Sequence, residues 1–184
     1  HILCTDGKVL SVSDFRESEK QPIAVVFHIN HDENTEGNGY AVYLWDLEPL
    51  AFADSIGVKQ NTSADIAALD GFENTFALLD ARETSSPLAE KVFDMWRYGQ
   101  SAYVPSVAQM RLLYHAKEQI NPVIKMCGGD TLSIEADDCW YWTSTEVNEQ
   151  QTAKAWLYSM GSGTIHDTPK IQAHKSRAII TLRD

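Results

Sequence analysis

The order of hydrophobic patterns along the chain is the feature that most limits its fold. A nearly continuous apolar run, IAVVFHI, covers residues 23–29, and a second run, YAVYLWD, covers residues 40–46. Both runs are rich in β-branched and aromatic residues, which favours strands, and the apolarity of the first indicates burial on both faces. Asn38-Gly39 is a turn dipeptide just before the second run. The two runs are therefore predicted to pair as a long-looped hairpin.

The middle of the chain has helical patterns. Residues 55–80 are predicted as turns and short helical pieces, and Ser85-Ser86-Pro87 then opens a helix that Gly99 ends. The apolar face of that helix is Leu88, Val92, Phe93 and Trp96. A second helix begins after the N-cap Ser106, is predicted to break near Asn121-Pro122, and resumes to Cys127, where Gly128-Gly129 stops it. Its inward stripe is Val107, Met110, Leu113 and Tyr114.

The last third of the chain returns to strand patterns. Strands are predicted at residues 140–145, 155–159 and 178–182, with a turn at 160–163 and a polar, non-strand stretch at 166–176. Strands at both ends with helices between them favour an α+β fold over repeated βαβ units. A length of 184 residues predicts one domain over residues 1–184.

Composition argues against two classes of partner. The formal net charge is −11, and no basic stripe interrupts the chain. Nucleic-acid binding is therefore not expected, because such proteins cluster Lys and Arg against the phosphate backbone. No apolar run approaches the ~18–20 residues that a membrane-spanning helix needs, so no membrane span is expected.

The candidate metal and disulfide residues leave alternatives open. His28 and His31 are three residues apart, which places them on opposite faces of a strand and argues against a shared metal. Asp130, Glu135, Asp137 and Asp138 offer oxygens for part of a calcium shell, or form a solvated acidic loop. The prediction is that the chain has no metal and no cofactor. Cys127 and Cys139 either form a bridge or pack as two small buried thiols.

The run CWYWTSTE at residues 139–146 combines three large aromatic side chains with hydroxyls and a carboxylate. On a strand, Trp140 and Trp142 share one face, while Tyr141 and Thr143 share the other. Trp142 is predicted to belong to the core, as is Trp156 on a later strand. The polar residues Thr143, Ser144 and Glu146 are predicted to bond local backbone.

Seven motifs in fixed order resemble one bacterial domain family of unknown function, typified by the C-terminal domain of collagen-like adhesins. They are Asp70-Gly71 with Asn74-Thr75, Tyr103-Val104-Pro105-Ser106 with Gln109-Met110 and Leu113-Tyr114, Ile120-Asn121, Gly128-Gly129, Tyr141 to Glu146, Ala155-Trp156, and Lys175 to Ile179. The chain departs from the family pattern at Tyr103, where a Trp often precedes the Tyr, and at Gln109, where Glu is favoured. The resemblance covers about residues 65–182.

The resemblance implies a C-type-lectin-like fold with mixed antiparallel sheets and two central helices. It also implies a non-enzymatic, secreted or cell-surface domain that binds a glycan or a host or cell-surface protein by adhesion. Two polar segments, 147–154 and 165–174, are predicted to present the binding residues above the sheet. The predicted ligand-binding residues are Asn148, Gln150, Gln151, Lys154, His166, Asp167 and Lys170.

Two alternatives to a binding domain stay open. One is a structural subunit of a phage tail or surface appendage, whose partners are copies of itself or sibling subunits. The other is a hydrolase that acts through His166 and Asp167. Residues 161–163 (GSG) lack the G-x-S-x-G frame of a nucleophile elbow, and no phosphate-binding glycine fingerprint precedes a helix. No catalytic residue is therefore predicted, and the chain is expected not to be an enzyme.

Overall fold

A computed structural model describes residues 1–31, 37–95 and 102–183. These residues form a mixed α+β fold with four helices and three antiparallel sheets. The helices are α1 Val12–Glu17, α2 Gly71–Asp80, α3 Pro87–Phe93 and α4 Val107–Met126. The strands are β1 Ile2–Cys4, β2 Val9–Leu10, β3 Pro22–Ile29, β4 Gly39–Tyr43, β5 Leu47–Ala51, β6 Trp140–Glu146, β7 Lys154–Ser159, β8 Ile165–Pro169, β9 Ala173–Ser176 and β10 Ile179–Leu182.

The largest sheet has the strand order β10-β4-β3-β1-β2. The predicted hairpin is confirmed as the β3-β4 pair, in which Val25 lies opposite Val42. The C-terminal strand β10 pairs with the other side of β4, with Ile180 opposite Ala41. Both ends of the chain therefore belong to one sheet. The remaining strands form a three-stranded sheet, β6-β7-β8, and a two-stranded ribbon, β5-β9.

Both faces of the β3-β4 hairpin are covered, as its continuous apolarity predicted. Ala24 and Ala41 face a cluster that includes α2, α3 and Trp142. Val25 and Val42 face a second cluster, built on α4. Alternate residues of a strand point to opposite faces, so only a strand buried on both sides needs apolar residues at every position.

The N-cap signals of α3 and α4 are confirmed, but α3 ends at Phe93, with Asp94 as its C-cap, and does not continue to Gly99. Phe93, which was predicted on the apolar face of this helix, is 40% exposed. Ser86 and Ser106 accept N-cap hydrogen bonds from Ala89 N and Gln109 N, and Pro87 occupies the first position of α3. The predicted positions Trp96 and Gly99 lie outside the described residues. Gly128, at a φ of +79°, follows the C-cap of α4.

The predicted break in α4 near Pro122 is wrong, because the helix is continuous from Val107 to Met126. Ile120 and Ile124 lie on either side of Pro122 and are buried in the same cluster. That packing holds the helix together despite the one N–H donor that proline lacks. None of the described helices is long and apolar enough to cross a membrane.

Several of the seven motifs meet around the N-terminus of α4. The Gln109 side-chain oxygen accepts hydrogen bonds from the backbone N–H groups of Gly71 (3.1 Å) and Ser106 (3.0 Å). A Cβ at Gly71 would lie only 2.4 Å from that oxygen and 2.6 Å from the carbonyl oxygen of Val104, so only glycine fits there. The motifs therefore join α2 to α4, and their residue types are explained by this packing.

The polar stretch 166–176 was predicted as non-strand, and this is wrong. Two strands, β8 and β9, occupy most of it and are joined by a turn at residues 170–172. β8 pairs with β7, placing Leu157 opposite His166, and β9 pairs with β5, placing Leu50 opposite His174. Backbone pairing with an existing strand makes these segments extended although their side chains are polar.

The bridge between Cys127 and Cys139, one of the two alternatives, does not form. Cys4, Cys127 and Cys139 are all free thiols. Cys139 is buried, with its Sγ 3.3 Å from the Ser159 hydroxyl. Cys127 is half-buried after α4, and burial raises the pKa of its thiol.

Candidate ligand-binding cleft

The aromatic run on β6 divides between the two cores. Tyr141 belongs to the cluster on α4, and Trp142 is fully buried in the opposite cluster, where its indole N–H donates to Leu50 O at 2.9 Å. The core prediction for Trp142 is confirmed. Trp156 is half-buried and packs only partly against the α4 cluster. Trp140 shares the face of Trp142, but it lies at the start of β6 and is half-buried.

Trp140 forms part of the wall of a cleft between the β6-β7-β8 sheet and the β5-β9 ribbon. We call this space the interlayer cleft, and its volume is about 520 Å³. β9 packs against β6, where Trp142 is fully buried, whereas Trp140 is half-buried and lines the cleft. The lining residues are Pro49, Asp137, Asp138, Trp140, Leu157, His166, Thr168, Pro169, Gln172, Ala173, His174 and Lys175.

Two histidine rings pack against the two tryptophan rings of β6. The ring of His166 lies edge-on to Trp140 with centroids 6.0 Å apart, and that of His174 lies edge-on to Trp142 at 5.4 Å. His166 Nδ1 is 3.2 Å from the Thr168 hydroxyl, and His174 Nε2 is 3.1 Å from Gln172 Oε1. Burial and the neighbouring His166 lower the pKa of His174. His174 is therefore neutral at pH 7.

The cation on the cleft wall is already paired within the protein. Lys175 Nζ lies 2.8 Å from Asp138 Oδ1, 3.6 Å from Asp46 Oδ2, and 4.5 Å from the centre of the Tyr141 ring. The hydrogen bond from Lys175 holds the pKa of Asp138 below its usual range. The cleft thus presents an indole, two imidazoles, an amide and a hydroxyl rather than an unpaired cation.

The predicted binding residues do not form one site. Asn148 and Gln150 are exposed on the turn between β6 and β7, and Asn148 lines a separate pocket beside Trp156. Gln151 donates to the carbonyl oxygen of Thr62 at 3.3 Å. Of the seven predicted residues, His166 is the one that lines the interlayer cleft.

Lys154 and Asp167 form a partly exposed ion pair, with Nζ 2.9 Å from Oδ2. The hydrogen bond from Lys154 lowers the pKa of Asp167. Asp167 and His166 are consecutive on β8, so their side chains point to opposite faces of the sheet. His166 faces the cleft and Asp167 faces Lys154, so the two do not form the dyad that the hydrolase alternative requires.

The prediction that Lys170 binds a ligand is wrong, because its side chain has no exposed surface. Lys170 Nζ donates to Glu146 Oε2, which is equally buried, and to the carbonyl oxygen of Val58 at 3.3 Å. Burial lowers the pKa of Lys170, and the bond to Glu146 opposes that shift. A lysine this deeply buried holds structure together and does not reach a ligand.

Glu146 was predicted to bond local backbone, and this is also wrong. Its two carboxylate oxygens accept hydrogen bonds from the backbone N–H groups of Gln60 and Thr62, each at 3.0 Å, and from the Thr62 hydroxyl at 2.9 Å. These partners are more than 80 residues away in sequence. Glu146, Lys170 and Thr62 together form a buried latch that ties the 58–62 segment to the end of β6. In contrast, Thr143 accepts locally from Thr145 N and donates to Trp156 O at 2.8 Å.

The acidic residues considered for calcium do not converge. Asp130 accepts from the backbone N–H of Asp46 at 3.2 Å, whereas Asp138 is paired with Lys175. Within residues 1–31, 37–95 and 102–183, no group of three or more His, Cys, Asp or Glu side chains is placed to hold a metal ion.

Sequence reasoning missed most of the cleft. Alternation on β6 did place Trp140 beside Trp142, but its partial exposure depends on where the ribbon ends. His174 and Gln172 lie in the predicted polar stretch, and nothing in the local pattern indicated that it would fold back over β6. No protein-family model matches the chain, and no curated protein sequence matches it either.

Proposed function

We propose that this chain is a non-enzymatic ligand-binding domain of C-type-lectin-like fold, secreted or displayed at a cell surface, that recognises a glycan through the interlayer cleft. The observation that carries the proposal is Trp140, a half-buried indole that lines a cleft of about 520 Å³. The apolar face of a sugar ring packs well on an indole, while imidazole, amide and hydroxyl groups around it bond the sugar hydroxyls.

The fold assignment rests on the resemblance of the seven motifs and on two arrangements that agree with it. The terminal strands share one sheet, and the motif residues around Gly71 and Gln109 interlock. The arrangement of groups in the cleft favours binding over catalysis, because His166 and Asp167 are on opposite faces and Asp138 is held by Lys175. A glycan is favoured over a protein surface because the polar groups surround a concave aromatic wall.

The Trp140→Ala variant is expected to bind the glycan more weakly and keep its fold. Removal of the indole takes away most of the apolar contact with the sugar, which corresponds to about 1–2 kcal/mol, or an affinity roughly 5- to 30-fold weaker. Binding to a glycan array, followed by calorimetry on the best glycan, measures the effect. Near-ultraviolet circular dichroism and a urea melt check that the fold persists.

Two controls make this test specific. Trp45→Ala removes a 49% exposed indole that does not line the cleft and should leave binding unchanged. The triple variant Asn148→Ala, Gln150→Ala, Gln151→Ala tests the turn that the sequence predicted as the binding site. If the triple variant loses binding while Trp140→Ala binds as the parent does, the site lies on the β6-β7 turn and the cleft proposal is wrong.

A second candidate function, a subunit of a phage tail or surface appendage, is favoured by an aromatic patch on α2 and α3. Phe76 is 60% exposed, Phe72 is 39% exposed and Phe93 is 40% exposed. With Thr75, Leu79, Ala102 and Tyr103 they line a small apolar hollow of about 60 Å³. Exposed apolar patches of this kind often mark protein–protein contacts.

If the patch joins copies of this chain, Phe76→Ser should shift the chain from an oligomer to a monomer. The exposed ring contributes little to the fold of the single chain, so the thermal melt measured at low concentration should hardly change. Sedimentation velocity over a concentration series measures the oligomeric state. A parent chain that is monomeric at high micromolar concentration would exclude this second function for the isolated domain.

A further inference from the structure

The charges around the interlayer cleft limit the kind of glycan that it can take. Among the residues that the structure describes, Lys175 is the lysine or arginine that lines the cleft, and it is paired with Asp138 and Asp46. Asp137 is exposed at the rim, so the remaining formal charge there is negative. A ligand with a carboxylate, sulfate or phosphate would lose hydration on entering this cleft, which costs free energy. Lys175 is already paired and would not offset that cost.

The two imidazoles are suited to hydroxyl groups. One nitrogen of each ring already has a protein partner, Thr168 for His166 and Gln172 for His174. Among the described residues, the other nitrogen of each ring has no hydrogen-bond partner. A neutral imidazole nitrogen either donates or accepts, and a sugar hydroxyl can do both.

We propose that the interlayer cleft binds an uncharged sugar residue, with the ring face on Trp140 and hydroxyls on His166 and His174, and that acidification releases it. This inference rests on the proposed function and adds the ligand class and its pH dependence. An uncharged ligand in the cleft removes further water from His174. Removal of water disfavours the protonated form, so the ligand binds the neutral form more tightly.

The other charged groups near His174 strengthen this dependence or leave it unchanged. His166 on β8 lowers the pKa of His174 further, and the charge of Lys175 on β9 is largely offset by its two carboxylate partners. Glu48 on β5 is engaged by Lys91 at 3.7 Å, and Asp167 is held by Lys154 on the other face of β8. Asp137 is at the rim, where water screens it.

The direction of the pH dependence follows from the lowered pKa of His174. Its folded-state value lies below the ordinary value of about 6.5, so the free protein carries neutral His174 at neutral pH. As the pH falls through that lowered value, His174 takes up a proton in the free protein but resists doing so beneath an uncharged ligand. Affinity should therefore be full at neutral pH and decline as the pH falls through the lowered pKa of His174.

The test uses the 184-residue chain and two sets of immobilised polysaccharides. The neutral set is mannan, dextran, galactan and laminarin, and the acidic set is hyaluronan and polygalacturonate. We expect binding to at least one neutral polysaccharide at pH 7.5, none to the acidic set, and an affinity at least fivefold lower at pH 5.0. His174→Gln keeps a hydrogen-bonding side chain but cannot titrate, so it should flatten the pH profile. His115→Gln, which changes an exposed histidine on α4, should leave the profile as in the parent.

The outcomes separate the two proposals. Binding of the acidic set at pH 7.5 overturns the uncharged-ligand inference and leaves glycan binding standing. If the affinity for a neutral polysaccharide does not change with pH, the role of His174 is overturned. The same follows if the affinity of His174→Gln still falls at low pH. No binding to either set, with a folded chain, contradicts the proposed function itself for these ligands. Binding that Trp140→Ala does not weaken places the site outside the cleft.

Discussion

Glu146→Ala should be among the most destabilised single variants of this chain, with a loss of about 3–5 kcal/mol in the free energy of unfolding. The substitution leaves the Lys170 ammonium buried without its counter-charge. It also removes the acceptor for the backbone N–H groups of Gln60 and Thr62, which lie in the protein interior. Each buried donor left without a partner costs a further ~1–3 kcal/mol, part of which is included in that total.

Urea unfolding followed by far-ultraviolet circular dichroism measures this loss, and two variants test its cause. Asp167→Ala breaks the partly exposed pair with Lys154, which water screens, and should cost much less stability than Glu146→Ala. The double variant Glu146→Gln, Lys170→Met removes both buried charges and keeps an acceptor for the 58–62 segment. It should recover part of the stability lost in Glu146→Ala. An equal loss for the exposed and buried pairs would show that the latch does not contribute as described.

Trp142→Ala is expected to cost about 3–5 kcal/mol, because the variant leaves a large cavity where a fully buried indole stood. The Phe52 ring, with its centroid 5.3 Å from that of Trp142, and the His174 ring would lose a packing partner. The carbonyl oxygen of Leu50 would lose the indole N–H that binds it at 2.9 Å. β5 and β9 would both be released from β6.

A urea melt of Trp142→Ala gives the size of the effect, and Trp142→Phe separates its two parts. The phenyl ring fills most of the volume but cannot donate to Leu50, so an intermediate loss of about 1–3 kcal/mol is expected. Trp45→Ala, at a half-exposed position, should stay within about 1 kcal/mol of the parent. A Trp142→Ala melt that matches the parent would remove Trp142 from the core.

The residues of the family-like motifs now have physical roles that explain their types. Gly71 is required because the Gln109 side chain and the Val104 carbonyl leave no room for a Cβ. Arg177 is fully buried, and its guanidinium donates to Asp46 Oδ1 and to the carbonyl oxygens of Tyr43 and Asp130. These residues join distant segments of the fold and lie away from the cleft. A motif that specifies packing identifies a fold better than it identifies a ligand.

The binding residues were harder to predict than the fold for a related reason. The turn at residues 147–154 looked like a recognition loop because it is polar, yet polarity marks any solvated turn. Asn148 and Gln150 are exposed there, but Gln151 is occupied by Thr62 and Lys154 by Asp167. Lys170 looked like a surface cation, and burial beside Glu146 reversed that interpretation.

Local patterns in the sequence determined the β3-β4 hairpin, the caps of α3 and α4, and the division of Trp142 and Tyr141 between two cores. Each of these depends on side-chain alternation or on bonds between residues a few positions apart. Only the tertiary structure decided that β8 and β9 are strands, that Glu146 binds a segment more than 80 residues away, and that Trp140 stays half-exposed beside two histidines. Strand pairing, burial of charge and the edge of a cleft depend on which distant segments meet. The residues next to each position in the sequence do not determine those long-range contacts.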